Sequence, residues 1–528
     1  MYHVECIDIH SGTNMYAYAD TACLCANNMY NVANFHIRNL MTGLKKEPLE
    51  RTQNERGVIR MFEEAVPVLN KALLDKRDRK LRKIMSDKRL SDEQKALKAG
   101  TVKYRQFPVP AREKWFAGKA VLEAVFKQTD NRDYRAFHTH VMQNAIRDCC
   151  SAWKGYFESL KSYNTGMEGF TGRPRIPGYK KSGGRSTAVF SSIACAIKGG
   201  ELVFPYCGKG KERARASLPV KGLPHASKDR LIEVRVVPYC GSYQVQVVTD
   251  DGIKEEDILP PADGIIGEDG TPAGVMTLDP GLTNFASITD NKGGIPVVVK
   301  GRAVKARNQW YNKKMAFLRS EQMKGHDPKT YHPPVTRRMR SLSRKRDAFL
   351  RDTFYKYAHY ICRLAVERGI SFIIAGHNRG QKQDIRLGRK TNQAFVQVPF
   401  DRFRRILAAV SRQYGIRVIL QEESYTSKAC FGNRDRMPVY GAPDAEKAVF
   451  TGRRIKRGLY RQDNGKILNA DINGSANIGR KYDARIFPEG MDYGYLYGAV
   501  RAMRHDDILA ESHRYHRAAG RCEIAAPA

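Results

Sequence analysis

Between residues 274 and 421 short apolar runs alternate with long helical stretches. The runs are Gly274-Val275-Met276-Thr277-Leu278-Asp279, Phe285-Ala286-Ser287-Ile288-Thr289, Ser371-Phe372-Ile373-Ile374-Ala375 and Ile416-Arg417-Val418-Ile419-Leu420-Gln421; a long helical region follows the second and a helix near 403–414 precedes the last. Short runs rich in β-branched residues and bounded by Gly, Pro or Asn read as strands. Strands separated by whole helices cannot all pair as hairpins, so this order requires a mixed α/β sheet with helices on its faces. In the long helical region Leu350, Phe354, Tyr357, Ile361 and Leu364 follow steps of four, three, four and three, one apolar stripe along a helix.

The preceding half is organised differently. His3-Val4-Glu5-Cys6-Ile7-Asp8-Ile9 alternates as a strand does, and the text from about 33 to 161 is helical in period. Gly172-Arg173-Pro174-Arg175-Ile176-Pro177-Gly178-Tyr179-Lys180-Lys181 is a basic breaker that cannot be helical and reads as a linker. Beyond it, β-like runs at 188–190, 202–204, 231–237 and 243–248 suggest a small barrel or sandwich. The expected division is a first barrel strand in 1–32, a helical lobe and basic linker in 33–184, the remainder of the β-barrel in 185–260, an α/β domain in 261–480, and a C-terminal extension in 481–528. The fold class is multidomain α+β.

Charge narrows the function. The 528 residues carry 91 Lys+Arg against 55 Asp+Glu, a net +36, and such a surplus calls for a polyanion, either nucleic acid or an acidic membrane. No apolar run approaches the roughly 20 residues that cross a bilayer, and the opening MYHVECIDIHSG lacks the basic start and apolar stretch of a signal peptide, so a cytoplasmic setting is expected. The 11 Cys include no Cys-x-x-Cys pair, which argues against a disulfide framework or an all-Cys zinc site. From Gly301 to Arg351 there are fifteen Lys/Arg and three acidic residues, interleaved with Trp310, Tyr311 and Phe317. A solvated helix face would explain such a run, but its one-sided sign favours phosphate contact.

Two carboxylates stand out. Asp279 ends an apolar strand and is followed by Pro280-Gly281, which also suits an ordinary turn. Asp471 opens the small-residue helix Asn469-Ala470-Asp471-Ile472-Asn473-Gly474-Ser475-Ala476-Asn477-Ile478-Gly479, where it also suits a first-turn acid. Small neighbours would let that helix lie close to the sheet and bring both carboxylates to one metal. No Gly-rich phosphate loop ending in Gly-Lys-Ser/Thr is present, so no NTPase is implied.

With Tyr425-Thr426-Ser427-Lys428-Ala429-Cys430 between them, Thr277-Leu278-Asp279-Pro280-Gly281 and the Asp471 motif form an ordered set. That set resembles the RuvC-type nuclease domain of the transposon-encoded TnpB family, whose related branches are the type V CRISPR effectors and the Fanzor nucleases. The resemblance implies an RNase H-like α/β nuclease domain over 261–480. It also implies a guide RNA, a double-stranded DNA target beside a short DNA motif, one or two copies per RNA, and a prokaryotic cytoplasm. Catalysis would be Mg2+-dependent phosphodiester hydrolysis by two ions, with Mn2+ as a substitute. The alternatives are a guided DNA-binding regulator without nuclease activity and a DNA transposase.

Two departures from the family pattern matter. The strand ending at Ala375 is usually followed by a second catalytic Glu, and this chain has Gly376-His377-Asn378. Gln421-Glu422-Glu423-Ser424 at the end of the next strand offers a relocated ligand. Neighbouring strand residues face opposite ways, so one of the two should ligate; Glu423 is preferred by its distance from Thr426, with Glu422 the alternate and His377 a poorer substitute because Mg2+ seeks oxygen. The expected catalytic and metal set is Asp279, Glu423 and Asp471. In the insert 430–468, where the family commonly carries two Cys-x-x-Cys pairs, only Cys430 remains, so no zinc is expected and hairpin packing should hold the insert. The expected nucleic-acid contacts are Arg173, Arg175, Lys180, Lys181, Lys313, Lys314, Arg337, Arg338, Arg340, Arg344, Lys345, Arg346, Arg453, Arg454, Lys456 and Arg457.

Overall fold

A computed structural model describes residues 2–524 except 105, 168, 208–214, 224–225, 228, 379–396, 440, 442–444 and 457. It divides into two units, Met1–Gly252 and Ile253–Ala528.

In the first unit, β1 (Tyr2–Ile9) lies antiparallel to β7 (Ser242–Asp250), which pairs with β6 (Leu231–Tyr239), and β6 with β2 (Ala188–Ser191). Cys240 and Gly241, both at positive φ, make the tight β6–β7 turn. A separate three-stranded sheet joins β3 (Ala196–Lys198), β4 (Glu201–Val203) and β5 (Ser217–Pro219). Among the described residues these are two open sheets rather than the closed barrel expected. A helix runs from Asn14 to Gly43, inside the segment expected to hold only a first strand. Thr13 caps it by accepting from the Tyr16 N–H, and its small buried residues Ala19, Ala22, Cys23, Ala26 and Ala33 let the neighbouring elements pack close. The helix Thr139–Asn164 contributes the buried Trp153 to the same core.

The second unit is built on a six-stranded sheet. Its strands are β8 (Val275–Pro280), β9 (Asn284–Asp290), β10 (Val297–Lys300), β11 (Phe372–Gly376), β12 (Arg417–Gln421) and β16 (Arg501–Met503), ordered β12-β11-β8-β9-β10-β16. β8, β11 and β12 run parallel, β9 runs against both β8 and β10, and β16 is parallel to β10. Residues on opposite faces alternate along each strand. Met276 and Leu278 of β8, with Ile373 and Ala375 of β11, enter one core with the long basic helix (Arg337–Glu367) and the helix Phe400–Arg412. Val275, Phe372 and Ile374 enter the other core with the small-residue helix (Ala470–Tyr482). The same alternation turns Thr277, Asp279 and Gly376 toward that small-residue helix.

Between these elements the insert forms a three-stranded antiparallel sheet of β13 (Arg453–Lys456), β14 (Leu459–Arg461) and β15 (Ile467–Asn469). The C-terminal segment is no appendage: β16 completes the main sheet, and Met503 and Ile508 are buried in its core. A strand of three residues leaves too short a pattern to read beforehand. Among the described residues, no helix is long and apolar enough to cross a membrane.

Candidate active site

The small-residue helix lies close to the sheet because its glycines allow it. A Cβ built on Gly474 would stand 2.9 Å from Asp279 Oδ2, and one on Gly479 2.5 Å from Thr277 Cγ2. Polar bonds then fix the helix. Ser475 Oγ donates to Thr277 O (3.0 Å), Asn473 Nδ2 to Ala429 O (2.8 Å), and Asn477 Nδ2 to Thr426 O (2.9 Å) and Ala429 O (2.7 Å). These bonds seat the turn carrying Thr426-Ser427-Lys428 against the helix that carries Asp471.

Asp279 occupies the centre. Burial, followed by the charges of Glu423 and Asp471, pushes its carboxyl well above the ordinary carboxylate range, and the Arg454 guanidinium works against them. Glu423 lies just beyond β12, and Asn378 holds it from both sides: Asn378 Nδ2 donates to Glu423 Oε1 (3.3 Å), and the Glu423 N–H donates to Asn378 Oδ1 (3.2 Å). A Cβ on Gly376 would sit 2.2 Å from Glu423 Oε2. The carboxylate of Glu423 therefore fills the space in front of the strand end from which the family's usual glutamate is missing. Glu422 points elsewhere: its Oε2 accepts from the buried Lys481 Nζ (2.6 Å) and its Oε1 from the Ser424 N–H (2.7 Å). Partial burial would raise the Glu422 carboxyl, but those bonds outweigh it and hold it below the ordinary range. His377 faces Asp401, 3.7 Å away.

Asp471 is oriented by Asn284 Nδ2, which donates to its Oδ2 at 2.7 Å, and Lys300 Nζ in turn donates to Asn284 Oδ1 (3.0 Å). Arg454 reaches Asp471 Oδ1 at 3.4 Å. Among the described residues, no group of three acidic, His or Cys side chains is gathered closely enough to hold a metal ion as it stands. Three carboxylates whose charges act on one another at Asp279 are the oxygen donors a hard divalent cation takes, and their side chains would have to draw together to hold one. Asn378, Asn284, Asn473 and Asn477 escaped the sequence reading. Asn473 and Asn477 were visible within the small-residue motif and Asn378 within the departure at 376–378, but nothing local gave their partners.

The insert carries a different device. Asp435 Oδ2 accepts from the backbone N–H groups of Cys430 (2.7 Å) and Thr451 (2.9 Å), and its Oδ1 accepts from Thr451 Oγ1 (2.8 Å). Cys430 is buried with Tyr460, Leu468 and Ala470. Ser427, Lys428, Arg453 and Arg454 line an open groove beside this sheet.

Of the remaining basic candidates, Arg173, Arg175, Lys181, Lys313, Lys314, Arg337, Arg338, Arg340, Lys345 and Lys456 are exposed, and Lys180 and Arg344 are half-buried. Arg346 is a packing cation instead of a free phosphate contact. Its Nε donates to Asn308 Oδ1 (2.7 Å), a terminal nitrogen donates to Gln397 O (2.8 Å), and its guanidinium lies 5.1 Å from the Tyr311 ring centroid. Arg457 lies outside the described residues.

Gly474→Ala tests the close approach of helix and sheet. Alanine in a helix interior ordinarily stabilises by about 0.5–1 kcal/mol over glycine, yet here the new methyl displaces the Asp279 carboxylate. Catalytic rate is expected to fall about tenfold with no loss of thermal stability. A drop in both would mark Gly474 as a packing residue only.

Fold and site together define a mixed α/β domain with Asp279 on β8, Glu423 just beyond β12 and Asp471 on the helix packed against their sheet. Residues 266–381 match the family described as a probable transposase (OrfB of IS605), and residues 400–478 match the Cas12f1-like TNB domain. The resemblance to the TnpB family and its type V relatives is thereby established over these two stretches. Among curated proteins none matches the sequence. Among solved structures, the chain is similar to a Cas12f1 complex with sgRNA and target DNA, at 13% identity over 80% of this chain and 93% of that one (TM-score 0.27). It is also similar to C2c1 of Alicyclobacillus acidoterrestris with single-guide RNA, at 10% identity over 82% and 71% (TM-score 0.33).

Proposed function

We propose that the protein is an RNA-guided DNA endonuclease that hydrolyses phosphodiester bonds at a single RuvC-type site. The observation that carries this reading is the half-buried Asp279 carboxyl near the end of β8, raised above its ordinary range by desolvation and by the charges of Glu423 and Asp471. Asp279, Glu423 and Asp471 would hold two Mg2+ ions. When bound, such ions activate water and stabilise the leaving oxygen during in-line attack on phosphate. The chain's own residues supply orientation: Asn378 and Asn284 aim two of the carboxylates, and the groove of Ser427, Lys428, Arg453 and Arg454 places the phosphodiester against them. The guide RNA and the double-stranded DNA target follow from the family resemblance, and the +36 surplus suits a heteroduplex gripped along its backbone.

The assay is cutting of matched linear DNA by the chain together with the RNA that copurifies with it. Cleavage of both strands that needs Mg2+ supports the reading, and its absence overturns it. The probable-transposase match over 266–381 favours a second reading, strand transfer by the same carboxylates, which predicts joined products formed without bound RNA.

A further inference from the structure

The basic breaker at 172–184 reads as a linker in sequence, yet in the structure the chain from Ile176 to Ser186 is bound to a helix and its core. Asp20, Cys23, Asn27, Asn31, Asn34 and Arg38 stand three, four, four, three and four residues apart on the helix Asn14–Gly43, so they form one stripe. Each residue of the stripe meets the segment 177–186, which runs antiparallel to the helix. Asp20 pairs with Arg185 (2.7 Å), and Cys23 O accepts from the Ser186 N–H (3.0 Å). Asn27 Nδ2 donates to Lys181 O (3.0 Å), Asn31 Nδ2 to Lys180 O (3.0 Å), and Asn34 Nδ2 to Pro177 O and Gly178 O (3.1 Å each). Arg38 also donates to Pro177 O, and the Lys180 N–H returns a bond to Asn31 Oδ1 (2.8 Å). The lengths agree: seven helical steps from Asn27 to Asn34 rise about 10 Å, and four extended steps from Pro177 to Lys181 span about 12 Å.

Asn27 and Asn34 are only 2% and 0% exposed. Buried amides are tolerated when bonded, and here their partners are carbonyls of a segment with no strand or helix of its own. A helix face that served packing alone would carry Leu or Ala at such positions. What the amides provide is a fixed path for a basic chain. Ile176, half-buried, packs against the core, Lys180 lies over the Tyr30 ring (4.0 Å), and Arg38 lies over the Tyr179 ring (4.6 Å). Arg173, Arg175 and Lys181 remain exposed, with no ion pair to a carboxylate among the described residues.

We propose that residues 173–186 form a preordered strap whose exposed cations hold the phosphate backbone of a bound nucleic acid, with Asn27, Asn31 and Asn34 as its positioning residues. The proposal rests on the nucleic-acid partner of the proposed function. Ordering the strap before binding removes the entropy cost that a loose basic linker would meet on association.

The test uses the full chain and a random-sequence single-stranded RNA, with affinity measured across a salt series. Arg173→Gln/Arg175→Gln is expected to lower the salt slope by about 1.4, two contacts at about 0.7 each. Asn31→Leu/Asn34→Leu, which changes no charge, is expected to weaken binding about tenfold. An unchanged slope in the arginine pair overturns the strap, as does wild-type affinity in the asparagine pair. Should the asparagine pair fail to fold, the exposed arginine pair decides alone. Metal-dependent cutting with an unchanged slope sinks the strap and leaves the nuclease standing; a lowered slope without cutting does the reverse.

Discussion

Asp279→Ala is expected to abolish metal-dependent cutting, with a loss of about a thousandfold or more, while nucleic-acid binding and folding persist. A carboxylate that anchors catalytic cations contributes several kcal/mol to the transition state, and each 1.36 kcal/mol is a factor of ten. Binding survives because the exposed cations of the strap and of the long basic helix are untouched by the substitution. Stability should hold or rise, since the substitution removes one of three converging negative charges from a half-buried position. The measurements are single-turnover cleavage, RNA affinity and a thermal melt of the same preparation. Cutting at the wild-type rate would end the claim that this strand end is the catalytic centre, and a lowered melting temperature would reassign Asp279 to the fold.

Gly376→Ala comes second in expected effect, and the change is a single methyl. The new Cβ would stand 2.2 Å from Glu423 Oε2 and 2.9 Å from Ile478 Cδ1, so the glutamate has to leave its place. Cleavage should fall about a hundredfold, toward the level of Glu423→Ala. Glu422→Ala should cut normally, because its carboxylate is engaged by Lys481 and Ser424. Glu423→Ala/Gly376→Glu returns a carboxylate to the neighbouring strand end and should recover part of the activity. Full activity in Glu423→Ala would refute the relocated ligand, and a dead Glu422→Ala with an active Glu423→Ala would exchange the two residues.

The α/β sheet was legible because its strands are short, apolar and separated by helices of clear period; the run expected to end at Asp279 is the strand Val275–Pro280. The small residues of the Asp471 motif were what pointed to the close approach of that helix to Asp279. Local text favoured Glu423 over Glu422 only through its distance from Thr426, because what engages Glu422 is a lysine 59 residues further on. The helix Asn14–Gly43 was hidden by its composition: alanines, cysteines and asparagines give little amphipathic signal, and the asparagines make sense only against a strap some 150 residues away in the chain. Between the barrel and the sandwich that the strand spacing allowed, the text could not choose, since strand composition does not specify which edges pair; among the described residues the strands form two open sheets.

The Asp435 clasp carries a consequence for how the molecule answers to chelators. In a ribbon tied by thiolates and a metal ion, stripping the metal dissolves the fold along with any chemistry that depends on it. Here one carboxylate, two amides and a threonine hydroxyl tie the insert, all of them indifferent to EDTA and to oxidants. Ions held as proposed by Asp279, Glu423 and Asp471 could therefore be withdrawn and restored while the insert beside them keeps its shape, so that cation supply would throttle the chemistry without touching the architecture.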